Sequence, residues 1–145
     1  MLETVLVYIE ENEQYLLIHK KKKDMNEGKY LGIGGKIEIG ESIEDALLRE
    51  TKEETGLTLH DFVHRANIYF TSGNYQEKMY LFTSNAFSGQ VISSNEGDLV
   101  WINKNALKSL PMWAGDHYFL NKLSESQTFF EMHLVYEGET LIEVY

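Results

Sequence analysis

Between residues 42 and 56 the apolar stripe of one helix runs out into carboxylates, and no other stretch constrains the chain as tightly. On a helix, positions i, i+3, i+4 and i+7 share a face. Ile43, Ala46 and Leu47 begin such a face and would seat the helix on a core. Its next members are Glu50, Glu53 and Glu54, so a core-facing stripe ends as three acids. Ser42 is placed to cap the N-terminus, Asp45 stands three residues on as a variant of the capping box, and Gly56 closes the segment. Glu50 and Glu54, four apart, repel by roughly 0.2–0.5 kcal/mol in an isolated helix, and partial burial makes that worse. Two readings fit. Either the acids form a solvated face laced with ion pairs (Arg49 to Glu53, Lys52 to nearby acids), or they gather around a divalent cation. Hard cations take oxygen ligands and keep carboxylates ionised.

The approach to this helix is dense in glycine. Gly32, Gly34 and Gly35 come just before a strand-like stretch at residues 36–39. Two phosphate-binding motifs fail here. A dinucleotide fingerprint needs a third glycine where Ile37 stands. Gly35 and Gly40 have the spacing of a Walker A loop, but Glu41 replaces the lysine that would touch the phosphates. An acid at that point repels an unscreened triphosphate, so phosphate contact in this region has to run through metal.

The remaining chain reads mostly as strands. Residues 2–9 and 14–19 form a hairpin across the polar turn at 10–13, followed by a basic loop at 20–23. Residues 62–71 and 75–87 pair around Gly73-Asn74, residues 100–103 make a short strand, and residues 128–136 and 140–145 pair around Gly138. Residues 105–110 and 116–124 read as helical. A length of 145 residues suits one α/β domain over 1–145, a mixed sheet flanked by helices. A formal net charge of −10 offers no basic surface for a nucleic acid polymer or an anionic membrane. The absence of cysteine excludes disulfides, thiolate zinc sites and cysteine nucleophiles. The five histidines form no HxH or HExxH pair. With no basic segment ahead of an apolar run at the N-terminus, and no run of ~20 apolar residues, a cytoplasmic protein is expected.

Taken as one unit, Gly35-x5-Glu41-x7-Arg49-Glu50-Thr51-x-Glu53-Glu54-x-Gly56-Leu57 resembles the Nudix box. The chain departs from it at Thr51, a packing position where the family usually has an aliphatic residue. The resemblance implies a Nudix-type α-β-α sandwich with a mixed sheet, and a hydrolase of phosphoanhydride bonds working with Mg²⁺ or Mn²⁺. Glu50, Glu53, Glu54 and the Gly35 carbonyl would then coordinate the metal. Arg49 would orient the glutamates, Glu41 would brace the loop–helix turn, and Gly56 would close the helix. Glu50 and Glu53 are candidate bases. Glu96, five residues before Trp101, is similar to an extra metal-binding or base glutamate of MutT-like members; the alternative is a carboxylate in a polar loop at 93–98.

Beyond the box, Lys29-Tyr30-Leu31-Gly32, the Trp101 strand and Pro111-Met112-Trp113-x-x-Asp116 resemble MutT-type pyrophosphatases, which clear oxidised purine nucleotides by cutting a triphosphate into monophosphate and pyrophosphate. By that resemblance Trp113 stacks on the base and Asp116 bonds its edge. Lys21 stands where such relatives have a substrate-side lysine, and Leu31, Gly34 and Lys36 border the nucleotide. Read without the resemblance, Trp113 is a loop anchor, Asp116 a helix N-cap and Lys21 part of a solvated loop. Mammalian-type members place an acid beside Asp116 and an asparagine on the approach loop, where this chain has Gly115 and Leu31. The rivals are another Nudix branch, acting on ADP-ribose, nucleotide sugars or dinucleoside polyphosphates, and a non-catalytic Nudix-fold binding module.

Overall fold

Alternation along the first strand decides the layering. In the computed structural model, which describes residues 1–92 and 95–145, β1 (Leu2–Glu11) turns back into β2 (Gln14–Lys20). Asn12 and Glu13 make the two-residue turn at positive φ, as a hairpin of this length demands. Val5, Val7 and Ile9 point to one side of β1 and Tyr8 to the other. On the first side they meet Ala46 and Leu47 of α1 (Ile43–Thr55). On the second, Tyr8 meets Phe119 of α2 (Ala114–Glu125), with Leu120 and Leu123 in the same core. Tyr15 and Leu17 of β2 join the α2 side, and Leu16 and Ile18 join the α1 side. The sheet is therefore buried on both faces between two helices, the expected α-β-α sandwich.

The sheet is mixed. β3 (Tyr30–Leu31) pairs with β2, and β4 (Ile33–Lys36) pairs antiparallel with β1. The long hairpin β5 (Thr58–Ser72) and β6 (Tyr75–Ser88) docks with β6 parallel to β1. Register shifts along the first half of β5 curl the sheet. β7 (Gly97–Asn103) pairs with β2, a 3-10 turn spans Lys104–Ser109, and β8 (Phe130–Glu137) runs parallel to β5 and antiparallel to β9 (Thr140–Val144). Among the described residues no helix is long and apolar enough to cross a membrane. Ser93 and Ser94 of the polar stretch at 93–98 lie outside the described residues.

Three expectations about element limits need correction. The strand near residues 36–39 lies earlier, at Ile33–Lys36, with Val5 opposite Gly35. The side-chain pattern hides it because its centre is glycine: a Cβ on Gly34 would stand 1.9 Å from the Val5 carbonyl oxygen. Residues 37–40 instead leave the sheet, with Ile39 fully exposed and Gly40 at φ 82°. The last helix starts at Ala114, with Trp113 at its N-cap position, so Asp116 sits inside the first turn and is not the cap. The strand expected at 100–103 begins at Gly97, where close approach to the His19 carbonyl again requires glycine.

Candidate active site

The caps of α1 set the stage. Ser42 accepts a hydrogen bond from the Asp45 amide at 3.1 Å, and Gly56, left-handed at φ 80°, returns its N–H to the Lys52 carbonyl at 2.9 Å. Thr51, at the packing position, is fully buried and donates its hydroxyl to the Leu47 carbonyl at 2.7 Å, which removes the cost of a buried polar group. A helix anchored this way holds residues 49–54 at a fixed height against β4.

Arg49 organises the acidic face of this helix. Its Nε and Nη2 fork onto Glu41 at 2.7 and 2.9 Å, Nη2 also reaches the Lys36 carbonyl at 3.0 Å, and Nη1 reaches Glu50 at 2.9 Å and Glu53 at 3.3 Å. This bidentate pair and the Glu38 amide, 3.0 Å from the Glu41 carboxylate, hold the Glu41 pKa down to about 2. The same bonds raise the Arg49 pKa, so the guanidinium stays charged. One cation thus ties the loop after β4 to the acids of α1.

Glu50 and Glu54 are in a different state. Burial raises both carboxyls, Glu54 to about 7, and for Glu54 the charges of Glu50, Glu96 and Glu53 add to it while Lys20 opposes. Glu50 lies directly on β4: a Cβ at Gly35 would stand 2.4 Å from its carboxyl carbon. Lys20 pairs with Glu96 at 3.2 Å on the other side. Among the described residues, no three acidic or histidine side chains are gathered tightly enough to hold a metal ion together. Arg49 holds Glu50 and Glu53, and 60% of the Glu53 side chain is exposed. The donors nevertheless fit a hard divalent cation. They are oxygens, they repel one another where they stand, and the glycine beside Glu50 leaves its backbone bare.

From this acidic end a cavity of about 670 Å³ runs along the sheet to α2. Lys20, Gly34, Gly35 and Glu54 line the near end. Trp113, Asp116, Phe70, Tyr75, Glu77 and Met79 line the far end, with Leu31 and Asn26 also in the wall. Trp113 is held edge-on to Tyr136 (5.5 Å, 86°), donates Nε1–H to Asn26 Oδ1 at 2.7 Å, and carries Lys29 over its ring at 4.7 Å. Enclosure raises the Asp116 carboxyl to about 7, and the charge of Glu77 adds to that. The volume falls in the range of small-ligand sites. An aromatic plane at one end and carboxylates at the other suit a molecule with a flat ring and a charged tail.

The family model of the NUDIX domain matches residues 2–123. This chain belongs to the Nudix family. Its curated relatives include the Nudix hydrolase YvcI of Bacillus subtilis, 30% identical over 128 residues (82% of this chain, 77% of that protein). Another is the oxidized purine nucleoside triphosphate hydrolase of Danio rerio, 36% identical over 104 residues (70% and 66%). Among solved structures, the MutT protein from Bacillus halodurans superposes with a TM-score of 0.92 at 24% identity, covering 100% of this chain and 97% of that one. Membership makes the chain a hydrolase of phosphoanhydride bonds, in a family that generally uses divalent metal ions.

Within this Nudix site the structure places Glu41, Arg49, Glu50, Glu53, Glu54 and Gly35 in one cluster, with Glu96 reaching it through Lys20. Trp113, Asp116, Leu31 and Gly34 line the cavity. Lys21 and Lys36 stand differently. Lys21 pairs with Asp98 at 2.7 Å and is mostly exposed, and Lys20 takes the cavity wall instead. Lys36 is exposed and meets the cluster through its carbonyl. Sequence reasoning missed Lys20, Asn26, Tyr75, Glu77 and Met79, whereas Phe70, expected as core or pocket wall, does line the cavity. Strand alternation carried a signal for three of those missed: Tyr75, Glu77, Met79 and Leu81 fall on one face, and only Glu77 interrupts it with charge.

Proposed function

We propose that this Nudix hydrolase is a Mg²⁺-dependent nucleoside triphosphate pyrophosphohydrolase, releasing nucleoside monophosphate and pyrophosphate, with oxidised purine (d)NTPs as its leading substrates. The observation that carries the reading is the single cavity joining the Trp113–Asp116 end to the Gly35–Glu54 end. It lets one ligand lay a base on the indole and its phosphates against the carboxylate cluster. The Danio rerio relative's name supports the choice of purine triphosphates. Two ADP-ribose pyrophosphatases, of Haemophilus influenzae and Methanocaldococcus jannaschii, match over 40% and 34% of this chain.

Glu50, Glu53, Glu54 and the Gly35 carbonyl would hold the ion, with Glu96 as a further ligand. When bound, the ion neutralises phosphate oxygens and the leaving pyrophosphate. The chain's own groups do the rest. Arg49, fixed by Glu41, keeps Glu50 and Glu53 oriented. Lys20 presents a cation at the phosphate end of the cavity, screening a charge that the acids would repel. One carboxylate among Glu50, Glu53 and Glu96 takes the proton from the attacking water. Trp113 contributes about 1–3 kcal/mol of stacking.

The test is product analysis across canonical and oxidised (d)NTPs with Mg²⁺, alongside Glu53→Gln. Pyrophosphate and monophosphate should appear, and the variant should lose at least ~100-fold in kcat while remaining folded. Orthophosphate as the first product, or a variant with near-normal kcat at saturating Mg²⁺, would overturn the reading.

A further inference from the structure

We propose that Glu77 is a specificity-determining residue: with Asp116 it forms a carboxyl pair that selects purines offering two adjacent N–H donors beside one acceptor, the guanine-type edge. The inference rests on the nucleotide reading of this cavity and deepens it.

Glu77 stands in a row that should be apolar. Its neighbours on the same face of β6, Met79 and Leu81, pack on the α2-side core, and its partner across the hairpin is Phe70. Such a carboxylate persists only if it is paired, solvated or used. It is held on both oxygens: Thr4 donates to Oε2 at 2.7 Å and Tyr75 to Oε1 at 2.6 Å. Each oxygen keeps a further acceptor position, and the side chain lines the cavity. The two hydroxyls therefore fix it without using it up.

Asp116 enters the same space from α2. Among the described residues, the charged and titratable groups coupled to it are Glu77 from β6, Tyr8 from β1 and Tyr136 from β8, and none of these is a cation. Two carboxyls facing one enclosed pocket without a cation between them do not both ionise readily. Asp116, raised to about 7, is the one that keeps a proton near neutrality. The pair then presents one O–H donor and a set of acceptors with fixed positions. A guanine-type edge supplies N1–H and an exocyclic N–H to the acceptors and O6 to the donor. An adenine-type edge supplies one donor and one acceptor, and leaves an acceptor of the pair unmatched. Leaving a buried partner unmatched costs roughly tenfold or more in affinity.

The test measures binding of GMP and AMP by quenching of tryptophan fluorescence in EDTA between pH 5.5 and 8.5. It needs neither metal nor turnover, so its failure is separable from failure of the hydrolase reading. The whole protein should bind GMP at least about tenfold more tightly than AMP at pH 6, and that ratio should fall as pH rises through about 7, whereas ionisation of Glu54 at the phosphate end weakens both nucleotides alike. In Glu77→Gln the GMP-to-AMP ratio should shrink several-fold and the midpoint of the fall should move to lower pH. Asp116→Asn, which keeps a permanent N–H donor, should hold its GMP-to-AMP ratio without that fall. Equal binding of the two nucleotides by the unmodified protein overturns the inference. So does an unchanged ratio and midpoint in Glu77→Gln, or a persistent fall in Asp116→Asn.

Discussion

The carboxylate set on α1 should be a liability to the fold that only a cation relieves, and Glu54 is the place to measure it. Its carboxyl is raised from 4.5 to about 7, first by burial and then by the charges of Glu50, Glu96 and Glu53. A group whose native pKa exceeds its unfolded value binds its proton more tightly in the folded chain. Its stabilising contribution is complete below pH ~4.5 and is lost as pH rises through about 7. By linkage the displacement amounts to about 2–3 kcal/mol, the lower figure allowing for water in the cavity. Metal-free protein should therefore lose stability between pH 5 and pH 8. Asp116, raised to about 7 as well, contributes to the same decline.

Glu54→Gln removes the charge while keeping the shape. In EDTA at pH 8 the variant should melt above the unmodified protein, by roughly 5–10 °C for a chain of this size. Below pH 4.5 the two should melt together, because Glu54 is then protonated in the folded and the unfolded chain alike. Excess Mg²⁺ should raise the melting temperature of the unmodified protein more at pH 8 than at pH 6, since the ion competes with a proton below about pH 7. It should rescue Glu54→Gln less. The assay is differential scanning calorimetry in matched buffers. A variant no more stable than the parent at pH 8 without metal would refute the idea that burial and like charge strain this site.

Gly35 and Trp113 offer kinetic tests at the two ends of the cavity. Gly35→Ala should cut kcat by more than tenfold with a smaller loss of stability, because the new Cβ would fall 2.4 Å from the Glu50 carboxyl carbon and displace that side chain; steady-state kinetics beside thermal melting decides, and unchanged kcat would remove Glu50 from the site. Trp113→Ala should raise KM about 5–100-fold and lower kcat less, because stacking is shared by ground and transition states; an unchanged KM for every active nucleotide would reduce Trp113 to a packing role.

Much of the phosphate end was legible because its residues lie in one short run. Helical periodicity alone turns Ile43, Ala46 and Leu47 inward and carries the same stripe to Glu50, Glu53 and Glu54. Ser42 and Gly56 mark the ends through capping rules that act within a few residues. The base end was only half legible, since it is assembled from β1, β5, β6, the loop before β3 and the start of α2. Asn26 meets Trp113 across 87 positions and Thr4 meets Glu77 across 73, and no local rule spans such separations. Lys20 against Lys21 was a question of strand parity at the last residue of β2, where a basic run gives no alternation to count. β4 escaped because glycine carries no side-chain pattern.

These two kinds of information meet on β1. Its odd-numbered residues, Val5, Val7 and Ile9, support the layer beneath α1, and Val5 stands opposite Gly35 where the backbone passes Glu50. Its even-numbered residues include Thr4, which holds Glu77, and Tyr8, which packs on Phe119 of α2. The period of two along a single buried strand thus seats the layer beneath α1 on one face and supports Glu77 and the α2 core on the other. A slip of one residue in the pairing of β1 with β6 would exchange those faces and separate Thr4 from Glu77. The register that buries the core is the register that builds the site, so selection for stability and selection for activity act on the same hydrogen-bond ladder.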